Sequence, residues 1–229
     1  MFDNLLDALH HNLIAEDRWK YIVNGLGTTL KITFFALLIG VVLGFVVAII
    51  RATYEKTGRL KFLNAICQVY LTVIRGTPVL VQLLIMYYVI FISLTSKLLV
   101  ASLAFGINSG AYVAEIVRGG IQSIDDGQFE GGSSLGFNYV QTMIYIIMPQ
   151  VLKNVLPALA NEFIVLLKET SVSGYIAMQD LTKGGDIIRS QTYNAMIPLL
   201  IVALIYLCMV MIFSYLVKLL ERRLRNSER

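Results

Sequence analysis

Residues 32–50 read ITFFALLIGVVLGFVVAII, nineteen residues in succession without a charge. A transmembrane helix needs about 20 predominantly apolar residues to cross the hydrocarbon core of a bilayer. Hydrophobic residues make up 57% of the 229-residue chain and charged residues only 15%, whereas soluble domains carry roughly 25% charged residues. The mean hydropathy of +0.71 excludes an ordinary soluble fold, and disorder needs the opposite balance. The sequence therefore predicts an all-α integral membrane protein.

The uncharged stretches predict about five transmembrane helices within one domain that covers residues 1–229. The predicted spans are residues 28–51, 63–93, 98–118, 152–170 and 194–219. The second is interrupted by Arg75-Gly76-Thr77-Pro78, which leaves open either one long tilted helix or a short helix leading into a span. Pro149 is predicted to end one helix before the next span, because proline removes a backbone donor and clashes with the preceding turn.

The distribution of Lys and Arg predicts the orientation of these spans. With the C-terminus inside, the cytoplasmic side carries four in residues 51–62, two in 118–153 and five in 218–229, eleven in all, and the other side carries six. Cytoplasmic loops hold the excess of basic residues in membrane proteins. We therefore predict an external N-terminus and a cytoplasmic C-terminus. The same bias accounts for the net charge of +4, so no nucleic-acid partner is expected.

The largest segment outside the spans, residues 119–150, is then cytoplasmic, and a helix is predicted from Asp125-Asp126 to Pro149. Residues 130–149 read EGGSSLGFNYVQTMIYIIMP. This stretch resembles the signature of permease subunits of binding-protein-dependent ABC importers: Glu-Ala-Ala, three residues, Gly, nine residues, Ile, any residue, Leu, Pro. The matching residues are Glu130, Gly136, Ile146 and Pro149, and the departures are Gly131, Gly132 and Met148.

Further segments resemble one branch of these permeases, the polar amino-acid uptake type that serves histidine, glutamine, arginine or cystine. They read NGLGTTL at 24–30, RGTP at 75–78 with Gln82, NSGAY at 108–112 with Glu115 and Arg118, GGI at 119–121, NEF at 161–163 and KETS at 168–171. Together with the signature they extend over residues 24–215. The resemblance implies the type I ABC importer permease fold in a bacterial inner membrane, with a cytoplasmic coupling helix.

The resemblance also implies the partners and the coupling residues. The expected partners are an ATPase dimer, a second permease copy or paralogue, an extracytoplasmic substrate-binding protein, an amino-acid substrate and the lipid bilayer. The chain contains neither GxxxxGK[ST] nor GxGxxG, so ATP and Mg are expected on the partner ATPase, with no cofactor and no enzymatic activity in this chain. The ATPase-coupling residues would be Glu130, Gly131, Gly132, Gly136, Ile146 and Pro149. Glu130 would cap the helix or pair with a basic group, and Gly136 would let two backbones approach closely.

Ionisable residues at membrane depth usually face protein or a water-filled cavity, and Arg75, Glu115, Glu162 and Lys168 are of this kind. Glu162 lies near the middle of the fourth predicted span and is a candidate contact for an amino acid. The tentative substrate-binding set is Glu162, Asn161, Asn108, Ser109, Tyr112 and Glu115. Alternatively, Glu162 is a structural partner of Lys168 or Arg75, Arg75 is an interface anchor, and the small residues serve helix packing.

These patterns predict a permease subunit of an ATP-driven importer of polar amino acids that works by alternating access. A stand-alone secondary transporter or channel is the alternative, although secondary carriers often contain inverted repeats and the sequence shows none. A membrane enzyme is a third reading, but the sequence contains no plausible catalytic cluster. The two histidines, His10 and His11, are N-terminal, and Cys67 and Cys208 lie in apolar sequence, so they predict neither a disulfide framework nor a metal site.

Overall fold

The computed structural model describes residues 10–226, and helices dominate this part of the chain. Two short helical turns, His10–Ile14 and Ala15–Asp17, precede the first long helix. The helices that follow are α1 Trp19–Thr57, α2 Lys61–Gly76, α3 Val79–Ile90, α4 Lys97–Gln122, α5 Asp126–Ser134, α6 Tyr139–Ile176, α7 Leu181–Thr192 and α8 Met196–Asn226.

Four of these helices are long and apolar enough to cross a membrane, namely α1, α4, α6 and α8, and the count rises to five if α2 and α3 form one bent span. The prediction of an all-helical membrane protein is therefore confirmed. The second predicted span is not one continuous helix. Thr77 is extended, with φ −124° and ψ 146°, as expected for a residue before proline, whose ring disfavours the helical conformation. The chain thus follows the alternative of a short helix leading into a second one.

Contacts within the chain define two compact units, each assembled from separated segments. Within the described residues 10–226, the first comprises the segment that ends at Ala36, Val79–Phe105 and Ile164–Tyr215, and the second comprises Leu37–Pro78, Gly106–Phe163 and the segment that begins at Leu216. The assignment of residues 1–229 to one domain stays a prediction.

The core of the first unit joins the start of α1 to α7 and α8. Its buried members are Ile22, Leu167, Leu181, Ile188, Val202 and Met209. Asp180 caps α7, because its Oδ1 accepts a hydrogen bond from the Lys183 amide at 3.0 Å. The Leu181 amide donates to Thr29 Oγ1 of α1 at 3.1 Å. A Cβ atom at Gly25 would lie 2.5 Å from the Asp180 carbonyl oxygen, so glycine lets α1 and α7 touch there.

The second unit packs the latter part of α1 against α4 and the start of α6. Its central buried residues are Ala48, Ala52, Val113, Val117, Ile147 and Val151. Gly40 and Gly44 form a GxxxG motif on α1, a spacing that lets membrane helices approach closely. Added Cβ atoms would lie 3.0 Å from Ser109 Oγ and 2.5 Å from Val113 Cγ1. This motif thus fixes α4 against α1.

The helix predicted from Asp125-Asp126 to Pro149 is wrong in two respects. The helix α5 ends at Ser134, and α6 begins at Tyr139 and continues through Pro149. A π-helical turn, Met143–Ile147, precedes the proline. In such a turn the backbone hydrogen bonds join residues five apart instead of four. The hydrogen-bond pattern of α6 therefore shifts by one residue just before Pro149, which has no amide hydrogen to donate. The Gln150 side chain also donates to the Ile146 carbonyl at 2.8 Å.

Candidate functional site

The coupling residues predicted from the signature lie on α5, on the turn after it and at the start of α6. Asp125 caps α5, since its Oδ1 accepts a hydrogen bond from the Gly127 amide at 2.7 Å. Glu130 is exposed on this helix, whereas Ile146 is half-buried on α6. Asp125, and not Glu130, therefore supplies the cap, and the Glu130 carboxylate is free to face another molecule.

Gly136 lies in the turn between α5 and α6 with φ +81°. Its amide donates to the Ser133 carbonyl and the Phe137 amide donates to the Gly132 carbonyl, both at 3.0 Å. These two bonds define a Schellman motif, in which the residue after the helix cap adopts the left-handed conformation. In the part of the chain that the structure describes, no atom lies within 4 Å of a Cβ added at Gly136. No second backbone of the described chain approaches Gly136 closely, and within this chain the positive φ is the physical reason for glycine.

The two departures from the signature have different surroundings. A Cβ atom added at Gly131 would meet no described residue within 4 Å, whereas one added at Gly132 would lie 2.6 Å from both Cγ2 and Oγ1 of Thr142. Gly132 is thus required by the contact between α5 and α6. Gly131 is not required by any contact among residues 10–226.

α5 is attached to both neighbouring helices of its unit. Lys56 of α1 forms an ion pair with Asp126, and its Nζ lies 4.9 Å from the centre of the Phe129 ring. Phe129 in turn stacks on Tyr139 of α6, with ring centres 6.5 Å apart. A displacement of α5 would therefore be transmitted to α1 and α6 through these contacts.

Glu115 is the centre of a cluster of charged residues in the second unit. Arg118 donates to its Oε2 from Nη2 at 2.7 Å and from Nε at 3.2 Å. The Nη1 atoms of Arg51 and Arg75 each lie 3.6 Å from Oε1. Glu55 adds a second carboxylate, 3.8 Å from Arg51 and 3.9 Å from Arg118. Three guanidinium groups therefore surround two carboxylates.

A cavity of about 550 Å³ opens beside this cluster. Its lining consists of Arg51, Gln68, Leu71, Thr72, Arg75, Gly76 and Glu115. Tyr112 stands next to it, with the Arg75 guanidinium carbon 5.9 Å from the centre of its ring. Small-molecule binding sites are typically pockets of about 300–1,000 Å³ with a few convergent polar groups. Arg51, Gln68 and Thr72 were not among the residues singled out from the sequence. The spacing of Gln68, Thr72 and Arg75 along one helical face is the signal that identifies this surface.

The other predicted substrate residues lie elsewhere in the same unit. Glu162 is 7% exposed, and its Oε1 accepts a hydrogen bond from the Ser109 hydroxyl at 2.8 Å. Asn108 is buried, whereas Asn161 and Tyr112 are exposed. The structure therefore brings Ser109 and Glu162 together and places Glu115 and Tyr112 with the arginines. Arg75 pairs with Glu115.

In the first unit, outside the predicted spans, two aspartates have opposite pKa shifts. Burial raises the pKa of Asp180 to about 6. Hydrogen bonds from Lys183 and Arg189 lower the pKa of Asp186, with distances of 2.8 and 2.5 Å. Asp186 is therefore ionised at neutral pH, while Asp180 titrates near it.

Comparison with known proteins identifies the family. Residues 40–226 match the family described as the binding-protein-dependent transport system inner membrane component. The chain is 37% identical over 208 residues to the putative glutamine transport system permease protein GlnP of Rickettsia conorii, covering 89% of this chain and 93% of that protein. It is 36% identical over 211 residues to the arginine transport system permease protein ArtQ of Bacillus subtilis, covering 91% and 94%.

Solved structures agree with this assignment. One described as a crystal structure of an amino acid ABC transporter with histidines superposes with a TM-score of 0.79 at 44% identity, covering 89% of this chain and 94% of that one. An inward-facing form of the MetNI methionine ABC transporter superposes with a TM-score of 0.77 at 19% identity, covering 91% and 98%, which shows the shared fold.

The fold and these relatives define the class: the chain is a permease subunit of the amino-acid ABC importer type. It belongs to the family of inner membrane components of binding-protein-dependent transport systems. The resemblance predicted from the signature at residues 130–149 is therefore confirmed. A stand-alone secondary transporter is disfavoured, because the matched relatives are subunits of multicomponent systems.

Proposed function

We propose that this permease imports polar amino acids together with a separate ATPase dimer, a second permease copy or paralogue and an extracytoplasmic substrate-binding protein. The observation that supports this most directly is the similarity over nine-tenths of the chain to permeases named for glutamine and arginine transport. ATP and Mg would bind the partner ATPase. The protein would lie in the bacterial inner membrane with its N-terminus outside and its C-terminus in the cytoplasm.

The segment 119–150 would form the contact with the ATPase. Its short helix α5 presents Glu130 to solvent, where a basic residue of a partner can reach it. The rigid turn at Gly136 fixes the angle between α5 and α6, and Lys56 and Phe129 connect α5 to its unit. ATP-driven closure of the ATPase would move α5, and α6 would carry this movement into the membrane-spanning region.

The translocated amino acid would contact the polar residues of the second unit. Glu162 with Ser109 offers a buried carboxylate that suits an ammonium or guanidinium group, since charged hydrogen bonds are about twice as strong as neutral ones. Asn108, Asn161, Tyr112 and Glu115 complete the proposed set. Alternating access would expose these groups first to the outside and then to the cytoplasm.

Charge reversal on α5 tests the coupling. We expect Glu130→Lys to abolish copurification of the ATPase and amino-acid uptake, while the permease still inserts and keeps its melting temperature. Gln128→Lys is the matched control. Residues two apart on a helix point in nearly opposite directions, and Gln128 faces Gln150 of the same chain at 3.4 Å. The control should retain the ATPase.

Normal ATPase binding and uptake in the Glu130→Lys variant would show that α5 is not the coupling helix. Uptake by the purified permease in the absence of any ATPase would contradict the proposed function itself and favour a stand-alone carrier.

A further inference from the structure

The charges around the cavity beside Glu115 do not balance. Arg51, Arg75 and Arg118 carry three positive charges against the two negative charges of Glu55 and Glu115, and the ion pairs of this cluster connect these five side chains to one another. One positive charge is left over, and two of the three arginines are largely withdrawn from water, with 18% of the Arg51 side chain and 26% of the Arg118 side chain exposed. A charge removed from water is costly unless an opposite charge accompanies it, so the cluster favours an added anion.

The hydrogen-bonding capacity of the guanidinium groups is also incompletely used. Of the three described arginines in the cluster, Arg118 alone approaches Glu115 at hydrogen-bond distance, because N–H···O bonds span about 2.7–3.2 Å and the other two contacts are 3.6 Å long. The Nε atom of Arg51 is buried and has no hydrogen-bond partner among residues 10–226. Arg51 and Arg75 therefore retain donors for a further acceptor, and both line the cavity.

The remaining lining suits a small polar solute. Gln68, Thr72 and Arg75 occur at intervals of four and three residues on α2, so they share one face of this helix and all line the cavity. The Arg75 side chain is 46% exposed, which makes it reachable from outside the unit. The cavity volume of about 550 Å³ lies within the range of small-molecule sites.

We propose that this cavity is an anion-binding subsite that receives the α-carboxylate of the transported amino acid, with Arg75 as the contacting residue and Arg51 as the supporting charge. This inference rests on the proposed function. Arginine suits the role because its planar, permanently charged group can hold both oxygens of a carboxylate. A lipid phosphate has the same oxyanion chemistry, and the experiment separates the two sources.

The test uses the full-length permease copurified with its ATPase, without binding protein, in nanodiscs of phosphatidylcholine. Affinities are obtained from the rise in melting temperature with ligand concentration, for the twenty L-amino acids and for the amide derivative of the tightest one, which lacks the carboxylate charge. We expect Arg75→Gln to weaken binding of the amino acid about ten- to hundredfold and to change binding of its amide less than twofold. Arg75→Lys should recover part of the loss. Arg59→Gln, at an exposed arginine between α1 and α2, should change neither affinity.

Equal weakening of the amino acid and its amide by Arg75→Gln, or no weakening of either, would overturn the subsite while leaving the proposed function intact. A second result would overturn the subsite in favour of a lipid phosphate. In that case phosphatidylglycerol stabilises the wild type, Arg75→Gln loses this stabilisation, and the affinity for the amino acid is unchanged. Failure of the wild type to bind any amino acid would instead contradict the proposed function, and the subsite with it. If Arg75→Gln lowers the melting temperature of the unliganded complex, the same comparison is made with Arg75→Lys, where a smaller loss confined to the amino acid is expected.

Discussion

At the scale of single residues, the buried carboxylate of Glu162 distinguishes a transport role from a structural one. Glu162→Gln preserves shape and removes the charge, so we expect reduced uptake, most for positively charged substrates, with ATPase assembly and basal hydrolysis unchanged. The ratio of uptake rates for arginine and glutamine measures this effect. Ser109→Ala is the control, because it removes one hydrogen bond that Glu162 accepts and leaves the charge in place.

Unchanged uptake by Glu162→Gln together with a large drop in melting temperature would assign Glu162 to structure. If Glu162 instead pairs with a buried cation, the substitution leaves that cation without its counter-charge. Loss of one partner of a buried ion pair strongly destabilises a protein.

The two adjacent glycines of α5 form a second test at this scale. Gly131→Ala should be neutral or stabilise the helix by up to about 1 kcal/mol, the difference in helix propensity between glycine and alanine. Gly132→Ala should destabilise by about 1–3 kcal/mol, because overpacking forces neighbouring groups apart and its Cβ would lie 2.6 Å from Thr142. Melting temperatures of the purified variants measure both effects.

The double variant Gly132→Ala with Thr142→Ala provides the control, since it removes both atoms at 2.6 Å. It should be less destabilised than the sum of the two single substitutions predicts. Strict additivity would mean that Gly132 and Thr142 do not limit the packing of α5 on α6.

At the scale of elements, the N-terminus of α7 should make stability depend on pH through Asp180. Its pKa is raised to about 6 from an ordinary value of 3.8, so the folded protein binds this proton more tightly than the unfolded chain. The free energy of unfolding therefore falls as pH rises from about 4 to about 6. The full effect is on the order of 3 kcal/mol. We expect the wild type to melt at a higher temperature at pH 5 than at pH 7.5.

Asp180→Asn isolates this effect, because asparagine caps helices as well as aspartate and does not ionise in this range. The difference in melting temperature between pH 5 and pH 7.5 should be smaller in this variant than in the wild type. Identical pH dependence in the two proteins would show that Asp180 titrates normally.

Individual helices were predicted more accurately than the breaks between them. The predicted span 98–118 lies within α4, Lys97–Gln122. A long apolar stretch indicates a helix whether its side chains face lipid or other parts of the protein. The continuation of α6 through Pro149 could not be predicted, since it depends on the π-helical turn Met143–Ile147, which has no pattern in the sequence. The signature located Gly136, but only the backbone shows that its positive φ closes a Schellman motif.

The predicted substrate residues illustrate the same limit. Ser109 and Glu162 are 53 residues apart in the chain and share a hydrogen bond, and a sequence read one span at a time contains no information on that pairing. Arg51 was counted with the cytoplasmic loop charges because it ends an apolar stretch. Its position beside Glu115 follows from the packing of α1 against α4.

At the scale of the whole molecule, the orientation in the membrane is open to a direct test. In a background with both native cysteines replaced by alanine, Ser190→Cys should react with a membrane-impermeant maleimide in intact cells. Gln128→Cys should react only after the membrane is permeabilised. Both residues are exposed, so accessibility to reagent differs only by side. The opposite pattern would invert the predicted topology, and a cytoplasm-specific fluorescent reporter fused to Arg229 provides the independent check.

The interleaving of the two units also determines when this protein can mature during its synthesis. The hydrogen bond between Thr29 and Leu181 joins residues 152 positions apart, and ribosomes add roughly 5–20 residues per second. Helix α1 therefore resides in the bilayer for roughly ten to thirty seconds before its partner has been translated. Neither unit is complete until α8 emerges, since the first requires Tyr215 and the second continues from Leu216. A prematurely terminated chain would thus leave both units unfinished and exposed to proteolytic quality control.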